Sequence, residues 1–342
     1  MTKKKVTFAD IAAYTHFSKT TISRYFNNPE SLTVENQDII AKALVELDYQ
    51  ENKLAKVLAN GKSEFIGIII PNLYLHYYSE LLNQILLSYE KYGYKFLVFV
   101  GNDHEDVERQ YIQELLAYKI EGLIVLSHTI SSKELASHNI PLVAIEREDQ
   151  YIPSVTTDNY LGATQAASVL HKSGCDILIH INVPVSEKIP SYNRIKGFVD
   201  ICTERHLPYE LFLEELGNTY EENFRTLGDI LDRIEKKYPQ RKKGIFLAND
   251  TYANIFLNHI IRRYGKLPED YKIIGFDNSP ISKEAIIPIS TIGQQIDKIA
   301  LTAMGLLVDQ MNERKKRRPK IETQIIHKQI TPVLIQRETT DA

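Results

Sequence analysis

The residues of this chain best suited to chemistry form a run of hydrogen-bond donors near the amino terminus. Lys19, Thr20, Ser23 and Arg24 stand within a segment that begins at Ser18. Ammonium, hydroxyl and guanidinium groups are the donors with which proteins grip phosphates and read base edges. The first 28 residues hold five bases and one acid, although the whole chain carries a net charge of -3. The basic character is local, and it favours nucleic acid as a ligand.

A second set of polar residues stands where apolar runs end, further along the chain. The set comprises Asn72, Glu146, Arg147, Asn249, Asp250 and Asp277. The carboxyl ends of parallel strands converge on a cleft, so these positions predict a small-molecule site. Each residue taken alone fits a helix cap equally well, and Asp250 in particular precedes a helical pattern.

Catalytic and metal-binding signatures are missing from the sequence. It contains no G-x-G-x-x-G, no complete phosphate-binding loop, no H-E-x-x-H and no G-x-S-x-G, and the ten histidines show no ligand spacing. The two cysteines, Cys175 and Cys202, form neither a disulfide framework nor a metal motif. We therefore expect no enzyme activity, no catalytic residues, no metal and no cofactor.

Three short helical patterns surround the donor run. Thr7, Ser18 and Thr33 are each suited to cap a helix, and apolar residues follow them at helical spacing. The connection between the first two helices is only residues 15–17, so the helices must cross steeply, as in a helix-turn-helix. A small helical domain with a merely polar face is the alternative interpretation.

After a polar, basic linker at residues 50–63, buried strand patterns alternate with amphipathic helices. Seven apolar runs are spaced along residues 65–276, with helical patterns between them. This alternation predicts an α/β core of two parallel sheets with a ligand cleft between them.

The composition agrees with a cytosolic globular protein. A chain of 342 residues with 25% charged residues is long enough for two or three domains, and no apolar run approaches the roughly 20 residues that span a bilayer. The basic run at residues 314–320 is interpreted as a solvated helix end rather than a second nucleic-acid contact. We expect a cytoplasmic location and no membrane partner.

Over essentially its whole length the chain resembles the LacI/GalR (lactose-repressor-like) family of bacterial transcriptional regulators. The most specific segments are VTFADIA at residues 6–12 and SKTTISRYFN at residues 18–27. Further matching segments are 52–58, 158–159, 194–198, 249–250, 275–278, 291–294 and 337–340.

The resemblance implies an all-α helix-turn-helix head and a periplasmic-binding-protein-like core of two parallel-sheet subdomains, crossed three times by the chain. The implied boundaries are a head at 1–49, a hinge helix or linker at 50–61, a first core subdomain at 62–159 and 292–323, and a second at 160–291 and 324–342. A homodimer on a pseudo-palindromic double-stranded operator follows from the same resemblance.

In that family reading, Lys19, Thr20 and Arg24 read bases in the major groove, while Ser18, Thr21 and Ser23 contact phosphates. Leu58 is implied to be an apolar wedge inserted into the minor groove, accompanied there by Asn52, Ala55 and Lys56. Because the hinge is too short to form a stable helix alone, its folding would be coupled to operator binding. An effector could then change the affinity for the operator by changing how readily the hinge folds.

The resemblance also implies an effector site in the core. Its expected polar residues are Arg147, Lys188, Arg194, Asn249 and Asp277. Leu75, Tyr77, Tyr78 and Ile296 are expected as apolar walls. A sugar or sugar derivative fits this set, and three positive groups near one cleft raise the hypothesis of a phosphorylated or acidic sugar.

The chain departs from the family pattern at three positions. His16 stands where a turn glycine is usual, Glu51 replaces a proline ahead of the hinge, and Cys175 replaces a histidine. Because histidine tolerates positive φ better than most residues, the turn is expected to survive with some strain.

The predicted function is a DNA-binding repressor of a carbohydrate-utilisation operon, controlled by a small-molecule effector. Co-repression, in which a ligand or partner strengthens DNA binding, is the alternative within the same class. A sugar-binding protein without a DNA function is the alternative from another class.

Overall fold

The computed structural model describes residues 6–50, 63–316 and 325–340. The chain separates into two compact units, residues 1–62 and residues 63–342. The unit boundary lies within one residue of the predicted start of the core at residue 62.

The described residues of the amino-terminal unit form three α-helices, α1 (Phe8–Thr15), α2 (Lys19–Asn27) and α3 (Val34–Glu46), with a short 3-10 helix at Pro29–Ser31 between the last two. Ile11, Ile22 and Ile40, one from each helix, are fully buried and form its small core. The Ser18 hydroxyl accepts a hydrogen bond from the backbone N–H of Thr21, which satisfies a donor that a helix start leaves free. Thr7 and Thr33 likewise begin α1 and α3, as predicted.

The second unit holds two six-stranded sheets. In chain order the strands are β1 (Phe65–Ile70), β2 (Lys95–Val100), β3 (Gly122–Val125), β4 (Leu142–Ile145), β5 (Ser154–Thr157), β6 (Ile177–Asn182), β7 (Tyr209–Leu213), β8 (Lys243–Leu247), β9 (Tyr271–Asp277), β10 (Ser290–Gly293), β11 (His327–Ile330) and β12 (Val333–Ile335). The first sheet has the order β11-β5-β4-β3-β1-β2, and the second has the order β12-β10-β9-β8-β6-β7. Among the described strands, all pairings are parallel except that of β10 with β12.

Ten helices connect and cover these strands in the described part of the core. They are α4 (His76–Leu87), α5 (Tyr89–Tyr92), α6 (Glu105–Ala117), α7 (Ser132–Ser137), α8 (Asn159–Lys172), α9 (Tyr192–Glu204), α10 (Tyr220–Lys237), α11 (Asp250–Tyr264), α12 (Pro280–Glu284) and α13 (Ile296–Arg314). Helices cover both faces of the sheets, which explains why central strands read as continuous apolar runs. In β1, Ile68 and Ile70 pack in one hydrophobic cluster while Ile69 packs in another, and all three side chains are fully buried.

The chain passes between the sheets three times, after β5, after β10 and between β11 and β12. Two predicted boundaries are wrong in detail. All of β10 belongs to the second sheet, so the second crossing follows Gly293 rather than residue 291. Strand β11 pairs with β5 in the first sheet, although residues 324–342 were expected in the second subdomain. His327–Ile330 is largely exposed at a sheet edge and therefore carries no apolar signal.

No helix in the three described ranges has both the length and the apolar character to cross a bilayer.

Candidate functional site

Helix α2 presents the predicted donor run on its solvent side. Lys19, Thr20 and Arg24 are exposed, whereas Ile22 on the opposite side is fully buried. Thr21 and Ser23 are partly buried, and the hydroxyls of Ser18 and Thr21 lie 2.8 Å apart. The exposed face of α2 thus presents two cations and a hydroxyl to solvent.

The turn before α2 contains the residue that departs from the family pattern. His16 ends α1 in the left-handed region, with φ 60° and ψ 18°. A residue other than glycine is rarely found there, because its Cβ crowds the backbone. The expected strained turn is therefore present.

Four residues expected at the DNA lie outside the described ranges. These are Asn52, Ala55, Lys56 and Leu58. Their assigned roles stay predictions from the sequence.

A cavity of about 290 Å³ lies between the two sheets of the core. Leu75, Tyr77, Tyr78, Leu126 and Ile145 give it an apolar and aromatic wall on the side of the first sheet. Residues near the carboxyl ends of strands in the second sheet, and the helices that follow them, supply most of its polar groups, namely Asn182, Ser186, Ser191, Arg194, Asn249 and Asp277. This is the edge at which open α/β sheets bind ligands.

Arg194 is held rigidly at the cavity by groups from three elements. Its Nε donates to Asn159 Oδ1 over 2.7 Å, and its Nη1 donates to the carbonyl oxygen of Ala248 over 2.7 Å. The guanidinium carbon lies 3.8 Å from the ring centroid of Phe276. Helix α9 reaches this position because it packs closely on α8, where a Cβ at Gly197 would come within 2.5 Å of the Tyr160 carbonyl oxygen.

Two buried carboxylates share the cavity with Arg194. Asp277, 3% exposed, accepts a hydrogen bond from Gln294 Nε2 over 2.5 Å. Glu146 Oε1 accepts from the backbone N–H of Thr157 over 2.7 Å, and its Oε2 accepts from Asn159 Nδ2 over 2.8 Å. Burial raises the pKa of both carboxyls, and the nearby Arg194 opposes that rise.

Asn249 lies at the start of α11, where its Oδ1 accepts a hydrogen bond from the backbone N–H of Tyr252 over 2.9 Å. Its neighbour Asp250 points elsewhere. The Asp250 carboxylate accepts from the backbone N–H of Ser279 and from Thr291 Oγ1, so it ties β9 to β10 and does not line the cavity.

The structure brings Arg194, Asn249 and Asp277 together, but it does not bring Arg147 or Lys188 to this cavity. The guanidinium of Arg147 is buried and donates to the carbonyl oxygens of Ser127 and Ile130 and to Ser132 Oγ. Neither residue lines this cavity, so their assignment to an effector site stays a prediction from the sequence. Sequence alone could not show that the strand-end arginine turns back into its own subdomain.

Of the expected apolar walls, Leu75, Tyr77 and Tyr78 line the cavity, while Ile296 lies in the core of the first subdomain. Several lining residues were missed as site residues. They are His128, Asn182, Ser186, Ser191, Tyr252 and Gln294. Glu146, which belongs to the strand-end set expected near a cleft, does line the cavity. Across the described residues, no group of three or more histidine, cysteine or acidic side chains is arranged to hold a metal ion.

Family comparisons agree with this architecture. Residues 63–242 match the family model for periplasmic binding proteins and the sugar-binding domain of the LacI family, and residues 167–340 match that of a periplasmic binding protein-like domain. The chain belongs to the LacI family. The resemblance drawn from the sequence is thereby confirmed, together with the predicted fold class.

Relatives span nearly the whole chain. The ribose operon repressor of Halalkalibacterium halodurans is 26% identical over 90% of this chain and 91% of its own length. The sucrose operon repressor of Streptococcus mutans is 28% identical over 89% of this chain and 92% of its own length. These LacI-family proteins are transcriptional repressors rather than enzymes, which confirms the prediction of an effector-controlled, DNA-binding regulator.

Solved structures show the same fold. A LacI-type regulator from Alkaliphilus metalliredigens, crystallised with D-xylulofuranose, is 26% identical and covers 82% of this chain and all of its own, with a TM-score of 0.70. The lac repressor dimer bound to operator and an anti-inducer is 21% identical and covers 99% of this chain and all of its own, with a TM-score of 0.83.

Proposed function

We propose that the effector of this LacI-family repressor is an uncharged sugar, and that Arg194, Asn249 and Asp277 bind it in the core cavity. The observation that carries the proposal is the grouping of these three side chains. A guanidinium, an amide and a carboxylate, each more than nine-tenths buried, face a wall of aromatic and aliphatic groups. Such a site satisfies hydroxyls on one side of a ligand and packs against its less polar side.

The size of the cavity and the names of relatives support a small sugar. A volume of about 290 Å³ lies at the lower end of the range for small-molecule sites. Relatives include repressors of ribose and sucrose operons, and a related regulator binds D-xylulofuranose. Control of a carbohydrate-utilisation operon in the bacterial cytoplasm is the corresponding role.

The charges around the cavity favour a neutral ligand over a phosphorylated or acidic one. Arg147 and Lys188 do not line the cavity. Among the residues that the structure describes, Arg194 is the one arginine or lysine side chain that does. Two of its donor nitrogens are already bonded within the protein. A phosphate would instead face the carboxylates of Glu146 and Asp277, and like charges in a buried site repel strongly.

For the operator, we propose that Lys19, Thr20 and Arg24 read bases while Ser18, Thr21 and Ser23 contact phosphates. The exposure of the first three on α2 supports this division. Asn52, Ala55, Lys56 and Leu58 complete the proposal at the minor groove of a pseudo-palindromic site bound by a homodimer. The exposed basic face of α2 also favours a regulator over a sugar-binding protein without DNA function.

Thermal unfolding of the full-length protein tests the effector assignment. The probes are D-ribose, D-fructose and sucrose, each compared with a phosphorylated or acidic counterpart. We expect at least one free sugar to raise the melting temperature, and Arg194→Lys and Asp277→Asn to abolish that rise. Arg205→Lys, an exposed change at the end of α9, is the matched control. Stabilisation by the anionic counterparts alone would overturn the neutral-sugar assignment.

The sign of the response needs a separate measurement. Adding the stabilising sugar to an operator complex will release the protein if the sugar induces, or tighten the complex if it co-represses. Both outcomes are compatible with the cavity described here, and the DNA-binding measurement distinguishes them.

A further inference from the structure

Tyr77 has an unusual environment at the second position of α4. Its side chain is 8% exposed and lines the core cavity. The hydroxyl oxygen is buried and has no hydrogen-bond partner among the residues that the structure describes. A buried polar group without a partner costs about 1–3 kcal/mol, so native proteins rarely retain one without a reason.

The groups around this hydroxyl keep it protonated, so that it can donate a hydrogen bond. Burial raises its pKa well above the ordinary value, and the carboxylates of Glu146 and Asp277 raise it further. Both oxygens of Glu146 already accept hydrogen bonds, from Thr157 and Asn159. Asp277 Oδ1 accepts from Gln294. Three of the four oxygens of these carboxyl groups thus accept hydrogen bonds from other residues, whereas the cavity is the space that a ligand would enter.

We propose that the Tyr77 hydroxyl donates a hydrogen bond to an oxygen of the bound effector and thereby determines specificity from the side of the first sheet. The sequence suggests only an apolar wall at this position, because tyrosine supplies a ring as well as a hydroxyl. The inference rests on the proposed sugar effector and adds a residue that distinguishes between sugars.

The expected selectivity follows from the unpaired group. An effector oxygen placed at the hydroxyl removes the penalty of burial, whereas a deoxy analogue leaves the penalty in the complex. Sites that hydrogen-bond a substrate hydroxyl reject analogues that lack it much more strongly than apolar sites reject a missing methylene. Tyr77 is therefore expected to discriminate between sugars that differ at a single oxygen.

The first test needs no ligand. Tyr77→Phe removes the unpaired hydroxyl and keeps the ring, so the ligand-free protein should melt at a temperature equal to or about 2 °C above that of the unaltered protein. Tyr89→Phe is the control, because Tyr89 is 51% exposed and lies outside the cavity. A lower melting temperature for Tyr77→Phe, with Tyr89→Phe unchanged, would show a structural bond and overturn the proposal.

The second test uses calorimetric titration with D-ribose, D-xylulose and D-fructose. The sugar that binds best should bind Tyr77→Phe about tenfold more weakly. One of its monodeoxy analogues should bind both proteins equally well. Affinity for the parent sugar within twofold of that of the unaltered protein would refute the contact. If none of the three sugars binds the unaltered protein and sucrose does not stabilise it in the thermal test, the sugar assignment fails, while the ligand-free comparison still decides whether the hydroxyl is unpaired.

Discussion

His76 Nδ1 lies 2.9 Å from Thr251 Oγ1, and the backbone N–H of His76 donates to the same oxygen over 3.2 Å. This pair joins the start of α4 in the first subdomain to the start of α11 in the second. The adjacent Leu75 packs against the core of the second subdomain while it also lines the cavity. Besides the three chain crossings, the subdomains are therefore linked by a noncovalent contact beside the ligand cavity.

Removing the Thr251 hydroxyl should weaken this link. The first N–H groups of a helix have no partner within it, so the His76 amide depends on Thr251 for its hydrogen bond. We expect amide hydrogen exchange at His76 to become about fivefold faster in Thr251→Val, which keeps the side-chain shape. Thr251→Ser retains the hydroxyl and should exchange as the unaltered protein does. Equal protection in the valine and serine variants would argue against a link made by this oxygen.

The left-handed turn at His16 makes a prediction about the head. Glycine adopts this backbone region without the crowding that a Cβ causes, although it loses more entropy on folding. His16→Gly should therefore stabilise the head by roughly 0.5–1 kcal/mol, measured from the urea midpoint of the helical signal. His16→Ala keeps the Cβ and should not be stabilised. A glycine variant no more stable than the alanine variant would contradict the strain.

Local signals explain why so much of the fold could be predicted. Capping residues and apolar spacing marked all three head helices, since a helix start needs a side-chain acceptor within a few residues. Central strands such as β1 and β9 were found because both of their faces are buried. Five strands were not predicted. Tyr209–Leu213, His327–Ile330 and Val333–Ile335 lie at sheet edges and are largely exposed or half-buried, so their composition resembles that of loops. Ser154–Thr157 and Ser290–Gly293 are buried, but each has only four residues and includes serine and threonine.

The candidate site was predicted only in part, because strand position does not fix the direction of a side chain. Asn249 and Asp277 follow their strands and reach the cavity, but Arg147 follows its strand and bonds to Ser127 and Ile130 instead. Gln294 follows β10 and reaches Asp277 at the end of the neighbouring strand β9, a relationship without a local sequence pattern. Such contacts depend on strand pairing and side-chain packing rather than on spacing in the chain.

The exposed Arg24 of α2 should determine part of the sequence preference of operator binding. A duplex selected by the protein from a random library is the probe. If Arg24 reads a base as proposed, Arg24→Ala should relax sequence preference at one position in each half-site, at a cost of about 1–3 kcal/mol. Lys42→Ala removes one charge from an exposed position on α3 and is the control. Equal effects of Lys42→Ala and Arg24→Ala on sequence preference would count against the assignment of Arg24 as a reader.

The buried imidazole of His180 predicts a pH dependence of core stability. Its Nδ1 lies 3.0 Å from the Phe246 carbonyl oxygen, its Nε2 lies 3.2 Å from Asn182 Nδ2, and its ring stacks on Phe246. Burial lowers the pKa of His180 to about 3, whereas the same side chain in the unfolded chain titrates near 6.5. Below about pH 6.5 the unfolded chain therefore binds a proton that the folded protein does not, and stability falls as the pH falls. His180→Gln should be less stable than the unaltered protein at pH 7.

The stability gap between the two proteins should narrow by roughly 1 kcal/mol between pH 6 and pH 5, because the variant lacks the group that titrates on unfolding. Urea unfolding of the core at several pH values measures the gap, and contributions from the other histidines cancel in the difference. His171→Gln removes an exposed imidazole on α8 and is the control for the substitution itself. A gap for His180→Gln that stays constant from pH 7 to pH 5 would mean that the imidazole is charged in the folded protein, or that it is not buried as described.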